Sequence, residues 1–250
     1  MQTKLIKALS VICLIYTPLL WAEKVDDLIR RAEQGEAVAQ TDLGTKYAEG
    51  NGVPKDFRLA EKWFKAAADQ GNPLAEYNLG LMFAHGEGMP LNLKEAAKWF
   101  QKAADRGDAP AQFTLGLMYA DGDGLTRNYE KAAKWFQLAA DKGHPTAQLN
   151  LGLMYLRGEG QTPDPRQAVH WFTQSAEQGD PLAQYHLGLC YYEGTGVEKN
   201  EEEAYVWIAL ASAQRVPNAH DLLDKLEEDL TDQQVAKAQS RAAAWQPVLH

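Results

Sequence analysis

Few side chains in this 250-residue sequence have the types and spacing that catalysis or metal binding requires. Serine acyl transfer of the Ser-x-x-Lys kind needs a lysine three residues after the nucleophile. Ser175, Ser212 and Ser240 are followed at that spacing by Gln178, Arg215 and Ala243. The histidines, His85, His144, His170, His186, His220 and His250, never pair at i, i+4 as a helical zinc site would want. Gly-x-Gly recurs five times, but without a preceding strand or the further glycine and lysine of a phosphate loop, so it reads as loop geometry. The acidic run Glu201 to Glu203 falls in the first turn of a helix, where negative charge suits the dipole. Cys190 is the lone cysteine once a leader holding Cys13 is removed. It can form no internal disulfide and reads as a buried filler. The sequence thus offers no catalytic, cofactor-binding or metal site, and the chemistry left to it is recognition.

A recognition surface needs elements to hold it, and these come from repetition. At a spacing of 36, residues 35–214 align into five copies without a gap, with eight columns identical throughout. Two are Gly35 and Ala39 with their equivalents, two are Leu43 and the following Gly44, two are the loop pair Gly50 and Gly52, and the last are Ala60 and Trp63. Ala111, Leu115 and Tyr119 recur four apart along one stripe of a first helix, A. Ala132, Trp135, Phe136 and Ala139 follow the i, i+3, i+4, i+7 rule of a second, B. Asn72, Asp108 and Asp180 are candidate N-caps for helix A. Asp56, Asn92, Asn128, Asp164 and Asn200 are candidates for helix B. A hairpin of this size cannot bury both stripes alone, so the copies must stack on one another.

The expected organisation is a signal peptide at 1–22, an N-terminal capping helix at 23–34, and repeats at 35–70, 71–106, 107–142, 143–178 and 179–214, with C-terminal capping helices at 215–250. Lys4, Lys7, an apolar stretch to Trp21 and then Ala22 have the form of an export signal. Leu20, where a small residue is preferred, keeps an uncleaved anchor as the alternative. The apolar stretch is too short for an ordinary membrane span, so none is expected after cleavage. Cleavage removes two lysines and no acid, leaving 23 basic against 34 acidic residues, a charge of −11, which disfavours nucleic acid as a partner.

The pattern AxxxLGxxYxxGxG…AxxWFxxAAxxG, as in Ala111 to Gly143, resembles the Sel1-like repeat, a relative of the tetratricopeptide repeat, over most of the chain. The resemblance implies an all-α, right-handed α-solenoid of five helix-loop-helix repeats with capping helices at both ends. It implies a periplasmic or secreted adaptor for a protein or peptide, with no cofactor. Two alternatives are a secreted factor engaging host-cell proteins and a β-lactam or cell-wall hydrolase of a cysteine-rich lineage, from which the single mature cysteine departs.

In such an array the A helices line the surface open to partners. With the repeat alanine set at zero, the position two later selects Tyr77, Phe113, Leu149 and Tyr185, and the position nine later selects Tyr192. The next position supplies His85, Asp121, Arg157 and Glu193, a charged column beside the aromatic one. The aromatics have two readings, ligand anchors or wedges between repeats. The tryptophan column reads as inter-repeat packing.

Overall fold

Alanine-rich amphipathic stripes bounded by glycine and by asparagine or aspartate dictate short helices with defined ends. The computed structural model describes residues 25–248, all helix and connecting loop. The leader at 1–22, residues 23–24 and residues 249–250 lie outside the described residues. Helix α1 covers residues 25–33. Five A–B pairs follow: α2 (Ala37–Glu49) and α3 (Phe57–Ala68), α4 (Pro73–His85) and α5 (Leu93–Asp105), α6 (Ala109–Asp121) and α7 (Tyr129–Ala140), α8 (Pro145–Arg157) and α9 (Pro165–Glu177), α10 (Pro181–Glu193) and α11 (Glu201–Ala213). Two further helices, α12 (Ala219–Asp229) and α13 (Asp232–Ala244), close the chain. Among the described residues no helix is long and apolar enough to cross a membrane.

The loop inside each pair is pinned by one recurring hydrogen bond. The N-cap residue of helix B donates its backbone N–H to the carbonyl of an aromatic near the end of helix A: Asp56 to Tyr47, Asn92 to Phe83, Asn128 to Tyr119, Asp164 to Tyr155 and Asn200 to Tyr191, at 2.7–2.9 Å. The same cap side chains accept from the first free amides of helix B, satisfying donors that would otherwise be orphaned. Gly158 and its equivalents end helix A in the left-handed conformation. The second loop glycine permits a close approach instead. A Cβ on Gly160 would lie 2.3 Å from the Tyr129 carbonyl oxygen, and one on Gly196 2.2 Å from that of Pro165, so the loop rests on the start of the preceding helix B.

Helices A and B meet through the glycine after the repeat leucine. A Cβ on Gly44, Gly80, Gly116 or Gly152 would stand 2.7, 2.5, 2.5 or 2.6 Å from ring carbons of Phe64, Phe100, Phe136 or Phe172, and on Gly188 2.7 Å from Ile208. The bare Cα therefore accepts a ring face, and the flanking alanines Ala39, Ala60, Ala75 and Ala96 are fully buried around it.

The chain divides into two compact units that part between Ala111 and Gln112. In the first, Leu28 and Ala32 of α1 pack with Ala39, Leu43 and Trp63, covering the first repeat, and Phe64, Ala67, Leu79 and Met82 form a second cluster that Trp99 closes. In the second, Phe136, Leu151 and Trp171 share one cluster, and Phe172, Leu187 and Cys190 share another that Trp207 flanks. Tyr205 and Ile208 pack with Ala219, Leu226 and Ala238 of the closing helices. Each tryptophan named thus packs onto the element before its own repeat.

A buried polar seam joins three helices at a time. Gln148 Nε2 donates to the Ala140 carbonyl at 3.2 Å, and Gln178 Nε2 donates to Gln148 Oε1 at 2.8 Å. Gln40 with Gln70 and Gln184 with Gln214 repeat the pattern. In the second repeat a charged pair stands there: Arg106 Nε donates to both Glu76 oxygens at 3.2 and 3.1 Å, with Glu76 only 2% exposed.

Two stability predictions follow from these contacts. Gly80→Ala will cost about 1–3 kcal/mol in urea unfolding through overpacking against Phe100, and Gly80→Ala/Phe100→Leu will recover part of the loss. Arg106→Gln, which leaves the buried Glu76 carboxylate without its cation, will cost about 3 kcal/mol, and Glu76→Gln/Arg106→Gln, which installs the amide pair of the first, fourth and fifth repeats, will restore most of it.

Candidate functional site

Which face of an A helix stays open depends on which positions packing consumes. In α8 the buried positions are Ala147, Gln148, Leu149, Leu151, Gly152 and Met154, and in α10 they are Ala183, Gln184, Leu187, Gly188 and Cys190. With the alanine at zero, the positions buried in both helices span roughly 340° through zero to 140°, so the buried arc is centred near 60° and the open face near about 240°. The open face therefore belongs to the positions six and ten after the alanine, flanked by those two and three after it.

In the second compact unit this face forms a cleft of about 200 Å³ between α6 and α8. Leu117, Leu153, Met154 and Phe136 give it apolar lining, and Asp121, Asn150, Arg157 and Glu159 give it polar lining. Asp121 and Arg157, both predicted from sequence, are exposed and share this cleft. Arg157 Nη1 is 3.9 Å from Glu159, a loose pair that leaves the guanidinium able to turn toward another anion. Leu117, Leu153 and Asn150 were missed by placing the centre opposite the alanine alone. The buried glutamine and glycine beside the stripe were the signal that shifts it.

The remaining predicted residues are spread along the A helices. Glu193 ends α10 exposed, and His85 does the same in α4 of the first unit. Tyr192 lies beneath the ammonium groups of Lys199 and Lys225, 5.6 and 5.1 Å from its ring centre. The column two after the alanine leans on helix B of its own repeat. The Tyr77 ring is 5.4 Å from Phe100, and Phe113 is 5.8 Å from Phe136 and stacked on His144 at 4.6 Å. Tyr185 meets His186 edge-on. Tyr77, Phe113 and Tyr185 remain half-buried, whereas Leu149 is 4% exposed among Phe172 and Leu187 and has no surface to offer.

The groups that could carry chemistry are otherwise engaged. Cys190 is buried in the column that holds Met82, Met118 and Met154 in the three preceding repeats, and burial pushes its thiol up to about 11, far from a reactive thiolate. Among the described residues no group of three or more histidine, cysteine or acidic side chains could hold a metal ion. His144 serves as the N-cap of α8, its Nδ1 accepting the Ala147 amide at 3.3 Å where Asp108 and Asp180 cap the equivalent helices. His186 stacks on Phe172.

The paired helices, the glycine-to-ring contact and the glycine loop define a tetratricopeptide-like helical-hairpin repeat protein. The Sel1 repeat model matches residues 37–72, 73–108, 109–144, 145–180 and 181–215, and the chain belongs to the Sel1 repeat family. Among solved structures, it is 34% identical to a Sel1 repeat protein from Oxalobacter formigenes, with a TM-score of 0.70 over 84% of this chain and 88% of that one. A protective antigen of uropathogenic Escherichia coli is 31% identical, with a TM-score of 0.53 over 87% of this chain and 56% of that one. Secretory immunoglobulin A-binding protein EsiB of Escherichia coli O6:H1 is 40% identical over 58 residues, 23% of this chain, which spans only 12% of EsiB.

Burial lowers the pKa of His144, and burial followed by the charge of Arg157 lowers that of His186. The folded chain therefore binds these protons less readily than the unfolded one, so stability is full above the usual imidazole value near 6.5 and falls as pH drops through the folded pKa. For His144 the loss has a direct cause, since a protonated Nδ1 cannot accept the cap bond. The melting temperature should fall less for His144→Asp than for wild type between about pH 7 and pH 5. Equal falls would show that the cap is not linked to this proton.

Proposed function

We propose that this protein is an exported, non-enzymatic adaptor that docks a protein or peptide segment on the open face of its A helices. The cleft between α6 and α8 carries the reading: Leu117 and Leu153 offer apolar anchorage while Asp121 and Arg157 supply opposite charges at its edge. That combination suits an extended or helical segment with a buried aliphatic side chain and flanking charges. The leader-like residues 1–22 support export to the periplasm or the medium, and the 58-residue similarity to an immunoglobulin-binding protein supports protein as the ligand class. The same face would serve a secreted factor engaging a host protein, and fractionating periplasm from medium separates the two destinations.

The test compares wild type with Asp121→Lys/Arg157→Glu as bait in envelope extract, after circular dichroism has confirmed equal helicity. A specific partner held by wild type should be retained at least about tenfold less by the charge-reversed chain. Identical capture by both would remove the cleft from the interface. Neither chain should turn over a chromogenic β-lactam, and steady turnover would overturn the non-enzymatic reading.

A further inference from the structure

The end of the chain shows a second surface, on the B-helix side and separate from the cleft. After α13 the backbone leaves the helix at Trp245 with φ −67° and ψ 141°, the polyproline II region, and Pro247 restricts Gln246 to extended conformations. This extended segment runs back over the repeats. The Val248 N–H donates to the Glu177 carbonyl at the end of α9 at 2.8 Å. Trp245 meets Trp207 of α11 edge to face, with ring centres 6.4 Å apart. Trp245 and Pro247 both lie over Gly179, where an added Cβ would touch each at 3.7 Å.

Three features mark this as a bound segment rather than a part of the repeat. The array does not require a tail at this place, because the equivalent spots beside Gly35 and Gly143 have nothing within 4 Å and the one beside Gly71 is met by the Arg106 guanidinium. The contact is of the kind by which aromatic surfaces receive proline-containing extended segments: a ring against a ring, a proline over a bare backbone and a main-chain hydrogen bond. The hold is also slight. Gln246, Pro247 and Val248 stay exposed, whereas α13 is separately fixed through Lys237 to Glu202 and Arg241 to Glu203. The segment can therefore detach while its helix remains in place.

We propose that Trp207, Gly179 and the Glu177 carbonyl form a docking surface for an extended aromatic-x-Pro-aliphatic segment. Residues 245–248 occupy it in cis, and a partner carrying that sequence competes with them for it.

The proposal is tested with full-length protein and a fluorescein-labelled synthetic peptide of residues 243–250, followed by anisotropy. Trp245→Ala/Pro247→Ala frees the surface and should bind the peptide saturably. Wild type should bind it about tenfold more weakly or less, because its own segment competes at high effective concentration. Adding Trp207→Ala to the freed chain should abolish binding with circular dichroism unchanged, and a peptide with its tryptophan replaced by alanine should not bind. Absence of saturable binding to the freed chain, or binding indifferent to Trp207→Ala, would overturn the docking surface. Equal binding by wild type would overturn occupancy in cis, as would a wild-type dimer that Trp207→Ala dissolves, since the occupant would then be a second copy's tail.

Discussion

The fold depends on one contact made five times: a side chain of helix B lying directly on the backbone of helix A where a residue lacks its Cβ. Phe64, Phe100, Phe136, Phe172 and Ile208 fill this role against Gly44, Gly80, Gly116, Gly152 and Gly188. Burying a large ring against bare backbone stabilises the hairpin, and it also fixes how deeply the two helices interpenetrate. Glycine within a helix costs roughly 1 kcal/mol in intrinsic propensity, so the close packing must exceed that at every repeat. The small alanines around the contact follow from the same geometry, since larger side chains would hold the helices apart.

Between repeats the work is divided between apolar and polar partners. Trp63, Trp99, Trp171 and Trp207 supply area against the preceding element, while the buried amides supply direction, because a side-chain amide bonded to a helix-terminal carbonyl tolerates little rotation. The Glu76–Arg106 pair shows that the seam accepts charge when both partners are present. Each such amide adds a second donor to a helix-end carbonyl that already accepts the backbone N–H of the glycine three residues on.

Much of this was legible in sequence because it recurs. Helix types, their caps and the all-α class came from columns that five copies make unmistakable. His144 was not read as a cap because histidine stands there once, among aspartate and asparagine. The candidate face was legible only in part. Asp121 and Arg157 were found by angular position and meet in one cleft, but Leu149 was misplaced to the surface. Taking alanine as the centre of the buried arc ignored Gln148 and Gly152, which extend it to one side, yet angle alone still leaves Leu149 beside the open face, and its burial comes from packing among Phe172 and Leu187. The fold-back of residues 245–248 had no repeated signal at all, since it depends on a meeting with Trp207 far away in the chain.

The bond between the helix B cap and the helix A carbonyl, together with the loop glycine resting on the previous hairpin, has an evolutionary consequence. A residue inserted into such a loop would break its own closure and also lift it from its neighbour, so single insertions there are penalised twice. Whole hairpins can be gained or lost without either penalty, because each new one brings its own closure and the landing place for the next. The array is thus free to change in length only by integral steps, a form of quantised growth in which recombination, more than point mutation, sets how much surface the protein presents.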